Sequence, residues 1–132
     1  MFHRRAETPI MLDGLDAART FFAPHFDGLA VEQLWVAHVD KACRCVHLAR
    51  YPGSAGAAAM PLRDILLDAA RHGSAGLVLA HNHPSGDASH SDSDRRATRR
   101  LAVVADAIDL PILDHLVFAG AECRSFRRLG LL

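Results

Sequence analysis

The sequence has little of what marks a membrane protein or a secreted disulfide-rich protein. No uninterrupted apolar run approaches the roughly 18 residues of a membrane-spanning helix. The cysteines number only three, and an odd count does not indicate a disulfide framework. The basic residues at the start of the chain are not followed by the apolar core of a secretory signal. We therefore expect a cytoplasmic protein with no membrane partner.

An excess of charge of either sign is also lacking. The 15 basic and 15 acidic residues give a formal net charge of zero with histidine neutral. This balance argues against a chain built mainly to coat nucleic acid, and it argues against disorder. Half of the 132 residues are hydrophobic, which is enough for a modest core. We expect one domain over residues 1–132, with a loose lead-in over about residues 1–10.

The hydrophobic periodicity that is present predicts three helices and five strands. Pro24 should stop the first helix, and residues 51–59 should form a loop. A helix between strands favours an α/β fold with a mixed sheet flanked by helices. The expected helices cover residues 13–23, 61–72 and 91–108, and the expected strands cover residues 31–39, 43–50, 76–80, 112–119 and 123–126.

The segment between the third strand and the third helix carries the chemistry. His81 and His83 lie two apart at the end of a predicted strand, where alternate side chains point the same way. Both imidazoles can therefore face one ion. Asp94 lies in the first turn of the next helix, whose start can fold back over the end of the strand. Two histidines and one carboxylate leave one of four zinc positions open, as in catalytic zinc sites.

The same residues allow simpler interpretations. A bare H-x-H pattern often occurs by chance, and surface histidine pairs are usually solvated. Ser91 and Asp94 also have the spacing of a capping box at the start of a helix. Taken alone, these pairs leave a metal site and an ordinary helix start both open.

The wider pattern resembles a known family. His81-x-His83 is followed by seven residues, then Ser91, then two residues, then Asp94. This spacing resembles the JAMM signature of the MPN/JAB metalloprotease superfamily. The residues His-Asn-His-Pro-Ser-Gly-Asp at 81–87 resemble the central motif of the RadC family. The similarity covers roughly residues 10–132 and includes Glu32 with the first strand, residues 60–65, Asp114-His115, Ser125-Phe126 and Gly130-Leu131-Leu132.

The resemblance implies a fold and a reaction. The fold would be the three-layer MPN/JAB architecture, which is similar to that of cytidine deaminases. The reaction would be zinc-dependent hydrolysis of amide, peptide or isopeptide bonds in an unknown protein or peptide substrate. The cofactor would be Zn²⁺, held by His81, His83 and Asp94.

The resemblance also implies roles for two further residues. Glu32 would be the general base toward a zinc-activated water, whereas without the resemblance it reads as a solvated carboxylate at a strand edge. Ser91 would donate a hydrogen bond to the oxyanion. If the metal takes the carboxylate of Asp94, this residue and Ser91 should not form an ordinary capping box.

Two other histidines are candidates near the site. His115 follows Asp114 on a predicted strand and could hydrogen-bond beside the metal site, with a purely structural histidine as the alternative. His90 lies in the loop before the third helix, where it could reach substrate or a stray metal, and we assign it no role.

Two other functions remain as alternatives. One is a nucleic-acid-associated module without proteolytic activity. Longer RadC relatives carry an N-terminal helix-hairpin-helix region suited to DNA contact, and at 132 residues we expect no such region in this sequence. The other is a catalytically silent scaffold, against which the intact ligand set argues. Phosphates could bind a basic face, although we favour a solvated helix surface; its residues are Arg95, Arg96, Arg99, Arg100, Arg124, Arg127 and Arg128.

Overall fold

The computed structural model of the protein describes residues 10–52, 60–88 and 91–132. Residues 1–9 of the expected lead-in, residues 53–59 of the expected loop, and His90 lie outside the described residues. Among the described residues, no helix combines the length and the apolar character needed to cross a membrane. The elements are α1 (Leu15–Phe26), β1 (Gln33–Val39), β2 (Cys45–Pro52), α2 (Leu62–His72), β3 (Gly76–Asn82), α3 (Asp92–Asp106), β4 (Ile112–Ala119) and β5 (Glu122–Ser125).

The five strands form one mixed sheet in the order β2-β1-β3-β4-β5. β3 and β4 are parallel, and the other neighbouring strands are antiparallel. Parallel neighbours need a crossover connection, and α3 provides it. The expected α/β fold with a mixed sheet is therefore confirmed.

Two apolar cores cover the two faces of the sheet, which makes the architecture three-layered. Alternate residues of β3 divide between them, because successive strand side chains point to opposite faces. Val78 and Ala80 join Phe22 of α1 in one core. Leu77 and Leu79 join the inner faces of α2 and α3 in the other core.

Several expected boundaries differ from the structure. Tyr51 and Pro52, expected in a loop, extend β2, because they pair with Leu34 and Gln33 of β1. α1 does not stop at Pro24 but continues to Phe26. The proline removes one backbone donor in the last turn, while the extra residues bring Phe26 into the core, 5.1 Å from the ring of Phe118. The loop expected from His81 begins two residues later, because His81 pairs with both Leu34 of β1 and Val117 of β4.

Candidate metal centre

The candidate site lies where the carboxyl end of β3 meets the start of α3. His81 follows Leu77 and Leu79 on the face of the sheet that α3 covers. The pairing of Leu34 with His81 brings Glu32, just before β1, alongside His83, just after β3. On α3, Asp94 is buried and points toward the sheet. Four residues that the sequence analysis singled out thus converge at one point.

The donor atoms of three of these residues lie at the spacing of metal ligands. The Nε2 atoms of His81 and His83 are 2.9 Å apart. The Oδ2 atom of Asp94 lies 3.6 Å from Nε2 of His81 and 3.2 Å from Nε2 of His83. Ligand atoms that surround a tetrahedral zinc ion at about 2.1 Å lie about 3.4 Å from one another. The three observed distances bracket that value, so the residues present fit such an ion.

Glu32 completes the cluster from the β1 side. One of its carboxylate oxygens and one ring nitrogen from each of His81 and His83 all lie within 4.8 Å of one another, and the three residues form a group that can hold a metal ion. Glu32 and His83 are half-buried, whereas His81 is buried. The cluster is therefore open to solvent on the side of Glu32 and His83.

The second ring nitrogen of each histidine is held by the protein. Nδ1 of His83 donates a hydrogen bond to the backbone carbonyl of Asp87 over 2.8 Å. Nδ1 of His81 lies 2.6 Å from Nε2 of His115. A carbonyl only accepts, so neutral His83 carries its proton on Nδ1 and leaves the lone pair of Nε2 for a metal.

A short polar chain continues behind His81. Nδ1 of His115 lies 2.7 Å from the hydroxyl of Thr98 on α3. Both His115 and Thr98 are fully buried. Burial, reinforced by the nearby His81, holds the pKa of His115 well below its usual range. His115 is therefore neutral, with one donor nitrogen and one acceptor nitrogen.

The electrostatics favour an ionised Asp94 between the imidazoles. Burial alone would raise the pKa of this carboxyl, but its close approach to the imidazoles of His81 and His83 and the hydrogen bond from the backbone N–H of Ser91 hold it well below its usual range. The neighbouring Asp94 carboxylate, which favours a protonated ring, raises the pKa of His83, and burial only partly offsets that effect. A carboxylate thus faces two ring nitrogens, which is the charge arrangement of a cation site.

Ser91 and Asp94 form the complete capping box that their spacing indicated. The hydroxyl of Ser91 accepts from the backbone N–H of Asp94 at 3.0 Å, and Oδ2 of Asp94 accepts from the N–H of Ser91 at 3.2 Å. A carboxylate has about four lone-pair sites. The same carboxylate can therefore cap the helix and face the imidazoles.

The sequence analysis missed three residues that shape the site. Asp87 holds His83, Thr98 ends the polar chain behind His81, and the Asn82 amide contacts the backbone on both sides of Glu32. Thr98 lies four residues after Asp94, which puts the two on one face of α3. That spacing was the available signal for Thr98, whereas the Asn82 contacts depend on strand pairing.

A groove of about 740 Å³ borders the site between the end of α1 and the β4–β5 turn. Asn82, His83 and Pro84 lie at one side of this groove, and Phe26 and Phe118 contribute apolar surface. An extended chain or a side chain next to the cluster has room there.

The candidate basic face lies on the other side of α3. Arg95, Arg96, Arg99 and Arg100 are all exposed. Arg95 forms an ion pair with Asp92, with 3.1 Å between nitrogen and oxygen. The helix thus presents its arginines to solvent while Asp94 and Thr98 face the sheet.

The family model and the similar proteins found by comparison agree with one another. A model of the RadC-like JAB domain matches residues 12–131. The UPF0758 protein YfjY of Escherichia coli strain K12 is 30% identical over 127 residues, which is 96% of this chain and 79% of that protein. The UPF0758 protein Bpet3149 of Bordetella petrii is 34% identical over 88% of this chain and 52% of its own length. A UPF0758 protein of Vibrio campbellii is 44% identical over 80 residues, which is 61% of this chain and 36% of that protein.

Proposed function

This chain belongs to the RadC-like JAB domain family, and we propose that it is a zinc-dependent hydrolase of amide, peptide or isopeptide bonds. One observation carries the proposal: the facing nitrogens of His81 and His83 lie within 3.6 Å of a buried carboxylate oxygen of Asp94. Two imidazoles and one carboxylate are ligands that zinc accepts, and a set of three leaves a fourth position for the reaction.

The bound metal would supply two effects that the side chains cannot. Zinc would polarise the scissile carbonyl and lower the pKa of a water molecule to about 7. His81, His83 and Asp94 would hold it, and their own hydrogen bonds support this role. Asp87 and His115 occupy the Nδ1 atoms, so both Nε2 atoms can turn to the ion.

Glu32 would move the proton in this reaction. Its carboxylate lies within 4.8 Å of the ligand nitrogens and is only half-buried. It can therefore take a proton from the attacking water and deliver it to the nitrogen of the leaving amine.

Ser91 would stabilise the negative charge that develops on the carbonyl oxygen. Its hydroxyl oxygen already accepts the N–H of Asp94 in the capping box. That bond uses one lone pair of the hydroxyl oxygen. The hydroxyl proton is therefore still available for donation, because a hydroxyl has one donor and two acceptor sites. Ser91 can thus cap α3 and donate to an oxyanion.

Two substitutions test the proposal with separate readouts. The probes are Zn²⁺ and a pool of synthetic peptides and isopeptides, with cleavage followed by mass spectrometry of new termini. Glu32→Gln should retain zinc and lose cleavage, whereas His83→Ala should lose both. Cleavage by the parent that survives both changes would contradict the proposal.

The exposed arginines support a second candidate, contact with nucleic acid. Arg96 and Arg100 lie four residues apart on one exposed side of α3, and such a pair can bind phosphates. The double change Arg96→Ala/Arg100→Ala should weaken duplex DNA binding and lower its salt dependence. Binding that the two changes leave intact would contradict a contact at this face.

A further inference from the structure

Asn82, which lies between His81 and His83 in the chain, points to the opposite face of the sheet from His81. His81 faces α3, while Asn82 lies one residue further along the strand and is buried with only 4% of its surface exposed. Its side chain therefore has no part in the metal cluster itself. A buried amide must nevertheless find partners for its oxygen and its nitrogen.

The partners of Asn82 are the backbone groups on both sides of Glu32. The Oδ1 atom of Asn82 accepts the backbone N–H of Gln33 over 2.7 Å. Its Nδ2 atom donates to the backbone carbonyl of Val31 over 2.9 Å. The two bonds are complementary, because the carbonyl oxygen can only accept and the amide nitrogen can only donate. The side chain of Asn82 thus holds the backbone on both sides of Glu32.

We propose that Asn82 is a positioning residue that holds Glu32 against the metal ligands, an inference that rests on the proposed function. The register between β1 and β3 explains the geometry. Their regular pairing begins with Leu34 opposite His81, so Glu32 lies just outside it. The amide of Asn82 continues the connection between the two segments and fixes the distance from Glu32 to His83.

The proposed metal ligands are held by contacts other than the two hydrogen bonds of Asn82. Nδ1 of His81 contacts His115, and Nδ1 of His83 contacts the Asp87 carbonyl. The backbone N–H of His83 also donates to the carbonyl of Phe118 over 2.8 Å. Loss of the Asn82 amide should therefore displace Glu32 while leaving the ligands in place. This separation makes the role testable.

The first measurement is amide hydrogen exchange in the metal-free full chain. Asn82→Ala removes the acceptor for the N–H of Gln33, so exchange at Gln33 should become at least about tenfold faster. Ser74→Ala is the matched control, since it removes a side-chain hydrogen bond to His38 at the other end of β1. The control should leave exchange at Gln33 unchanged.

The second measurement uses Co²⁺ in place of zinc. Affinity for Co²⁺ should stay within about threefold of the parent in Asn82→Ala, because loss of direct ligand support typically costs 10- to 100-fold. The visible absorption spectrum of bound Co²⁺ should change in Asn82→Ala in the same way as in Glu32→Gln. Asn82→Ala should cause no further change in a chain that already carries Glu32→Gln.

Two results would overturn the inference. The first is an exchange rate at Gln33 that is the same in Asn82→Ala as in the parent. The second is a Co²⁺ spectrum that changes in Glu32→Gln but stays the same as the parent's in Asn82→Ala. Failure of the proposed function has a different signature. A parent chain that does not bind Co²⁺ contradicts the metal site, and the exchange rate at Gln33 then decides alone whether Asn82 holds this segment.

Discussion

The Nδ1 atom of His81 lies 2.6 Å from the Nε2 atom of His115 in the interior of the protein. His115 is neutral because burial lowers its pKa well below the usual range. With a metal on Nε2 of His81, Nδ1 of His81 would carry the proton and donate a hydrogen bond to Nε2 of His115. The latter then donates from its own Nδ1 to the hydroxyl of Thr98. The chain fixes the tautomer and the ring orientation of a proposed ligand.

Thr98→Val tests this chain with little change of shape. The substitution removes the hydroxyl that contacts His115 and leaves an isosteric methyl group. We expect zinc affinity to fall by about 10-fold, because a partner behind a ligand typically contributes 10- to 100-fold. A competition titration with a chromophoric chelator measures the change. Unchanged affinity would contradict a role for Thr98 in holding His81.

Ser91→Ala separates the capping role of Ser91 from metal binding. The hydroxyl satisfies the N–H of Asp94 at the start of α3, so its loss should lower the free energy of unfolding by about 1 kcal/mol. Zinc affinity should change little, since Ser91 is not among the proposed ligands. Urea denaturation checks stability, and Ser91→Thr, which keeps a capping hydroxyl, serves as the control. Equal stability of Ser91→Ala and the parent would contradict the capping role.

His38 should make the protein sensitive to mild acid. It is fully buried on β1, and its Nδ1 lies 2.7 Å from the hydroxyl of Ser74. Burial, with smaller effects from the neighbouring His47 and His72 that exceed the opposing effect of Asp68, lowers its pKa to about 4. In the unfolded chain the pKa is about 6.5. Between these values the unfolded chain binds a proton that the folded chain does not, so stability falls as the pH falls.

His38→Gln should remove this part of the pH dependence. Between pH 7 and pH 4.5 the parent should lose about 2 kcal/mol more unfolding free energy than the variant. Urea denaturation at both pH values gives the difference directly. Equal losses in the parent and the variant would contradict the assignment to His38.

The sequence predicted the order of the elements because each has its own local pattern. The apolar run of β3 and the capping residue of α3 are examples. Local patterns also singled out His81, His83 and Asp94, because H-x-H at a strand end and an acid in the next helix turn have fixed geometry, whereas Glu32 was expected only from the family resemblance. Partners set by strand register had no such local signal. The contacts of Asn82 with Val31 and Gln33, 51 and 49 residues away, depend on how β1 pairs with β3.

Local rules also gave wrong answers where tertiary contacts outweigh them. Pro24 normally ends a helix, but the burial of Phe26 draws α1 two residues further. The Asp94 carboxylate caps α3 and faces the imidazoles at once, so a local capping pattern alone did not determine what else this side chain contacts.

The central claim is that His81, His83 and Asp94 bind one zinc ion, and a Zn²⁺ titration of the full chain tests it most directly. Asp94→Asn is the decisive variant, because it removes the charge while keeping an oxygen that can cap α3. We predict one Zn²⁺ per chain for the parent and at least about 100-fold weaker binding for both Asp94→Asn and His83→Ala. A parent without stoichiometric zinc binding, or affinity that neither variant changes, would contradict the claim.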